Sequence, residues 1–203
     1  MSLQIIKGAF VAFYPKIAKP RTIVFQINPE SIKRNILPIQ SKKNLFGFKG
    51  VRERISFVLS VDENMGDDFF VHNEQSVSHG VLPFLSAIEL LVYPSDVISE
   101  VASTFAYRRL FGVLNNIGDI LRKNSSNALP FVNLLFGTQR MIPVKIQSIN
   151  IIEQAFDPTL LPIRASVKMV MDVLTEQESK HHPVIKESYI NYLRLKVMLA
   201  SSK

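Results

Sequence analysis

Few residues in this chain have the type and spacing that chemistry needs. The four histidines, His72, His79, His181 and His182, show none of the spacings by which a helix presents metal ligands. His72 and His79 share an acidic stretch with Asp67, Asp68 and Glu74, a composition that suits a weak metal site, but a solvated loop is expected there. His181 and His182 precede Pro183 and read as a link into a helix. Asp67 and Asp68 are adjacent, not separated as a general acid and base would be, and no His or Lys is tied to them by spacing. Cysteine is absent, which removes a thiol nucleophile, a disulfide frame and a cysteine metal cluster. No GxGxxG, P-loop or GxSxG occurs. No catalytic, cofactor-binding or metal-ligating residue is therefore assigned, and the chain is expected not to be an enzyme.

The charge is more informative. The 203 residues carry a net charge of +7, with 47% apolar and 20% charged residues, the balance of an ordinary globular domain. Residues 1–54 hold 11 Lys/Arg against 2 acids, Glu30 and Glu53, and the remainder 13 against 15. Such asymmetry suits nucleic acid, an acidic partner, or simply a solvated basic face. Phe46 and Phe48 lie in a loop with Lys42, Lys43 and Lys49, a composition fit for a protein contact or for stacking on bases. Phe10, Phe13 and Phe25 sit in apolar strand-like stretches and read as core. The N-terminal stretch does not read as a signal peptide, and no apolar run approaches the length of a transmembrane helix.

The elements that must position these residues are mostly strands. Ile5 to Phe13 is apolar, with Gly8 as a candidate bulge. Ile23, Phe25 and Ile27 alternate, Asn28-Pro29-Glu30-Ser31 turns, and Ile32 to Ile39 makes a weaker strand that Pro38 places at an edge. Ile55, Phe57, Leu59 and Val61 alternate strictly. A helix begins near Val81 and ends at Tyr93-Pro94, because a residue before proline is pushed out of helical backbone. Further helix is expected between 97 and 123. Phe131 to Phe136 and Met141 to Ile152 form a hairpin, and a parity change between Ile146 and Ile149 predicts a bulge near Ser148. In the next strand Ile163, Ala165, Val167, Met169, Met171 and Val173 face one way, and Arg164, Ser166, Lys168, Val170 and Asp172 the other. A last helix over Pro183 to Leu199 carries two apolar stripes: Ile185, Tyr189, Leu193, Val197, and beside it Ile190, Tyr192, Leu195.

Five blocks, in order, resemble the tube proteins of contractile injection systems, which are phage-tail-like particles. They are KGAFVAFYP (7–15), TIVFQINPESIKRNI (22–36), GVLPFLSAIELLVYP (80–94), the paired hairpin of 131–174 with EQAFDP in its loop, and the final helix after HHP. Within that family the chain is most similar to the tube-to-spike baseplate adaptor. No LysM-like segment follows in this sequence, so peptidoglycan binding is not carried over, and residues 95–130 depart from the pattern as a helical insertion.

The resemblance implies a mainly β (α+β) fold: two antiparallel sheets in a barrel-like sandwich, with a packed helix, the helical insertion and a C-terminal helix. The domain would be 1–179, followed by the helix at 180–203. It implies a homo-oligomeric, hexameric ring whose strands line a channel, with Arg164, Ser166, Lys168 and Asp172 as channel-facing candidates. Asp67, Asp68, Lys42, Lys43, Phe46 and Phe48 are candidate subunit contacts, and Val101, Phe105, Leu114, Ile117 and Leu121 would dock the insertion on a partner. The partners implied are an inner-tube subunit, a spike protein and baseplate or sheath components, in a particle assembled in the cytoplasm and then released or membrane-anchored. Neither a cofactor nor membrane insertion is expected, and nucleic acid is the less favoured partner. A basic β-rich binding module for nucleic acid or an acidic protein is the alternative.

Overall fold

The computed structural model describes residues 6–14, 20–40, 47–65, 79–94, 129–137, 139–178 and 183–202. Seven strands are present among them: β1 (Ala9–Phe13), β2 (Arg21–Val24), β3 (Lys33–Gln40), β4 (Phe48–Asp62), β5 (Phe131–Phe136), β6 (Arg140–Phe156) and β7 (Pro162–Val173). Two α-helices accompany them, α1 (Leu82–Glu89), extended by a 3-10 turn over Leu90–Val92, and α2 (Pro183–Ser201). The strands form one antiparallel sheet in the order β2-β1-β5-β6-β7-β4-β3. The fold is thus mainly β, but the expected pair of sheets in a barrel-like sandwich is replaced by one sheet that does not close.

That sheet curls over its own core. β1 and β4 stand four ladder steps apart, about 19 Å on a flat sheet. Yet Phe10 of β1 stacks on Phe57 of β4 with ring centroids 6.2 Å apart, and Phe25 meets both, at 5.0 and 5.8 Å. A sandwich-like interior therefore arises from curvature. The pair of sheets was what the resemblance implied; alternation itself shows only which face of a strand is buried and says nothing about which strand lies beside which. The inward row of β4, Ile55, Phe57, Leu59 and Val61, and that of β7, Ala165, Val167, Met169 and Met171, are almost fully buried. α1 adds Phe84, Leu85 and Ile88 to the same core.

The gap between the ends of the sheet is bridged by side-chain amides. After β2 the chain runs Phe25-Gln26-Ile27-Asn28. Gln26 Nε2 donates to the Asp62 carbonyl (2.6 Å), and the Asp62 N–H donates to Gln26 Oε1 (2.8 Å), so one side chain does what a neighbouring strand would do. On the other side the Gly8 N–H donates to Asn28 Oδ1 (2.8 Å) and Asn28 Nδ2 to the Ile6 carbonyl (2.9 Å). Gly8 is not a bulge. Its Cα faces the Phe25 ring, and a Cβ there would stand 2.6 Å from Phe25 Cδ2.

The expected bulge does appear, as a register shift between Ile146 and Ser148. Pro38 lies in the edge strand β3, as expected from its missing N–H.

Replacing Gln26 by Leu keeps the volume but leaves the buried Asp62 N–H and C=O without partners. A loss of about 2–4 kcal/mol in unfolding free energy is expected, measured by urea denaturation. Stability within 0.5 kcal/mol of the parent, a margin of about the size of an ordinary surface change, would show that the clasp does not hold the ends together.

Candidate assembly surfaces

The outer face of β7 carries Arg164, Ser166, Lys168 and Asp172, all pointing away from the core, with Arg164 and Lys168 exposed. Its register with β4 and β6 builds cross-strand rows: Arg54–Asp172–Lys145, Val58–Lys168–Asn150, Ser60–Ser166–Ile152 and Asp62–Arg164–Gln154. The face is polar with apolar members, since Val58 and Ile152 are about half exposed. Arg54 grips Asp172 through two bonds, Nε to Oδ1 at 2.7 Å and Nη2 to Oδ2 at 3.2 Å. Arg164 pairs with Asp62 (2.8 Å). The Asp62 carboxyl is held below its usual range, first by the Asn64 backbone N–H and then, against partial desolvation, by Arg164. Lys145 and Lys168 make no ion pair among the described residues, so the face presents two uncompensated cations.

A second cluster fixes α2. Glu53 is only 4% exposed although charged. It accepts from Arg34 Nε (2.8 Å), from the Tyr192 hydroxyl (2.8 Å) and from Lys196 Nζ (2.8 Å), tying β3, β4 and α2 together. Lys196 Nζ also lies 4.1 Å from the centre of the Tyr192 ring. Burial pushes the Glu53 carboxyl up, but the bonds from Lys196, Arg34 and Tyr192 outweigh it and hold the group below the ordinary carboxylate range. Burial, then the bond to Glu53, drives the Tyr192 hydroxyl far above its usual value. Ser188, one turn earlier in α2, accepts from Asn133 Nδ2 of β5 (3.2 Å).

This anchoring decides which part of the last helix's broad apolar surface is buried. Ile185, Ser188 and Tyr192 are buried, whereas Leu193 is 40% and Val197 67% exposed. A strict four-residue repeat advances 400°, so it drifts 40° per step and leaves the buried face. Ile190, Leu193, Val197 and Met198 instead line an open apolar groove.

Phe48, the first residue of β4, is 71% exposed opposite Gln40, and Ile36 and Leu37 of edge strand β3, paired with Glu53 and Arg52, are each about half exposed. Lys42, Lys43, Phe46, Asp67, Asp68, Val101, Phe105, Leu114, Ile117 and Leu121 lie outside the described residues, as do His72, His181 and His182. Neither the Glu53 cluster nor the Gln26 clasp was anticipated from sequence. The one available signal for Glu53 was its parity, since it continues the inward row of Ile55, Phe57 and Leu59. Among the described residues no group of three or more His, Cys, Asp or Glu could hold a metal ion, and no helix is long and apolar enough to cross a membrane. No protein-family model matches the chain, and no curated protein sequence does either.

Because the folded pKa of Glu53 lies below its unfolded value near 4.5, its stabilisation is present above about pH 4.5 and is lost as pH falls through the folded pKa. Glu53→Gln should cost about 2 kcal/mol at pH 7, less than a fully buried pair would, because Arg34 and Lys196 stay partly hydrated. It should also flatten the loss of stability below pH 4.5. Urea midpoints measured from pH 3 to 7 test this; a variant with the parent's acid dependence would remove Glu53 from that role.

Proposed function

We propose that this chain is a structural, ring-forming protein of a contractile injection system, an adaptor layer joining the inner tube to the spike or baseplate hub. The observation that carries this is a curled sheet left open for partners. Among the described residues β2 and β3 have one ladder neighbour each, and beyond Val144 β6 pairs only with β7. Around these open edges lie exposed apolar side chains: Ile36, Leu37 and Phe48 by β3, and Ile152 and Phe156 on β6. Open edges and apolar patches suit a subunit completed by its neighbours, through unlike surfaces as ring closure requires. The five sequence blocks supply the family, and the polar outer face of β7 is then the channel lining. On this reading the protein has no catalytic turnover.

The uncompensated Lys145 and Lys168 support a second reading, a basic module for an anionic polymer. There, affinity for duplex DNA should fall steeply with salt, and Lys168→Glu should reduce the salt slope by about one.

Electron microscopy of the purified protein should show closed rings at low salt. Deleting about Asp96 to Asn127 with a short Gly/Ser link should leave a folded β domain that fails to complete particles. A protein that stays monomeric at every concentration while binding DNA in a salt-dependent way would overturn the ring and favour the second reading.

A further inference from the structure

We infer that the tip of the β6–β7 hairpin is a knob that docks in an apolar cavity at the far end of β7 on a second copy of this chain. The inference rests on the ring-forming reading and names the contact that would join its subunits.

The tip is built to show an apolar residue. Ala155 (φ 49°) and Leu160 (φ 65°) are the described non-glycine residues with left-handed backbone, and both lie here. Leucine disfavours that conformation, and a turn needed only to reverse the chain would carry Gly or Asn there. Leu160 is nevertheless 79% exposed, more than any other large hydrophobic described. Asp157 holds it in place. Its Oδ1 accepts from the Thr159 N–H, the Thr159 hydroxyl and the Leu161 N–H, each at 2.8 Å, and its own N–H donates to the Leu161 carbonyl (2.9 Å). Those bonds also keep the Asp157 carboxyl below its usual range, so the tip is anionic at neutral pH. Phe156, about half exposed, stands beside it.

The complementary surface is on the same chain. A cavity of about 450 Å³ is lined by Leu91, Val92, Leu129, Phe131, Val144 and Ile146, and Lys145 and Glu178 also border it; the Glu178 carboxylate accepts from the Thr175 N–H (3.0 Å) and hydroxyl (2.9 Å). Lys145 makes no ion pair among the described residues. The cavity also borders Leu174, just past the end of β7, whereas the tip precedes Pro162 at its start. The 12 residues of β7 span roughly 40 Å, so a tip cannot enter its own cavity. Apolar knob and apolar cavity match, Lys145 offers Asp157 a cation while Glu178 is held by Thr175, and the two surfaces differ. Those are the conditions for a head-to-tail contact that closes into a ring when the rotation between copies permits.

The absence of cysteine makes the test clean. Leu160→Cys and Leu129→Cys proteins, mixed and treated with a short bismaleimide, should give a covalent heterodimer. Leu160→Cys mixed with Val24→Cys, on edge strand β2, should not. Leu160→Gly separates docking from folding: it relieves the backbone, so the melting temperature should hold or rise, while self-association should weaken about tenfold or more, as for an interface anchor. Rings seen by microscopy without the 160–129 cross-link would overturn this contact and leave the ring standing. The specific cross-link in open chains that never close would support the contact and overturn the ring. Equal cross-linking of the Val24→Cys control, or unchanged association of Leu160→Gly, would also overturn the contact.

Discussion

A sheet whose first and fourth strands must touch, with no ladder between them, needs something to join its ends, and here that is one glutamine. Gln26 offers a carbonyl and an N–H in the order a peptide does, and it meets both backbone groups of Asp62. The Asp62 carboxylate is then free to take Arg164, which fixes the start of β7. Below the clasp the rings of Phe10, Phe25 and Phe57 fill the space that the curl encloses. Opening the clasp would expose those rings.

Glu53 has a different task. Measured against a well-packed apolar replacement, a buried carboxylate with two cations gains little, because desolvation offsets most of the attraction, although removing one partner from the finished cluster is costly. What it sets is direction. With its hydroxyl on Glu53, Tyr192 fixes the rotation of α2, and that rotation leaves Leu193, Val197 and Met198 in solvent. Had the helix been held only by apolar burial, the Leu193–Val197 side would have served the core as well as the Ile185–Tyr192 side. The polar contact selects between them and leaves the apolar groove outward.

Features carried by neighbouring residues were legible in the sequence. The alternation of β4 and β7, the stop of the first helix at Tyr93-Pro94, the start of the last at Pro183 and the bulge before Ser148 all follow from local backbone rules. So does the outward placement of Arg164, Ser166, Lys168 and Asp172. What was not legible joins distant positions. Gln26 and Asp62 are 36 residues apart, and Arg34 and Tyr192 are 158 apart. Gly8 was misread for the same reason: a glycine before a strand suggests a bulge until the Phe25 ring is seen against its Cα. Alternation likewise shows that a face is polar without showing what that face looks onto.

The exposed apolar residues are distributed unevenly, and the distribution is an argument in itself. Single exposed leucines are ordinary on protein surfaces. Here they recur on edge strand β3 (Ile36, Leu37), at the start of β4 (Phe48), on α2 (Leu193, Val197, Met198) and toward the hairpin tip (Ile152, Phe156, Leu160). The charged side chains Arg164 and Lys168 keep the middle of the β7 outer face in water. A two-fold dimer would need one patch that matches itself, whereas a strained, carboxylate-braced tip and a recessed cavity at opposite ends of one strand are unlike surfaces. Backbone strain persists only where surrounding bonds enforce it. Asp157 supplies those bonds in a loop with no core to bury, so the display of Leu160 is what they maintain. On the ring-forming reading, an apolar residue fixed outward at one end and an apolar hollow at the other are the two halves of a repeating link.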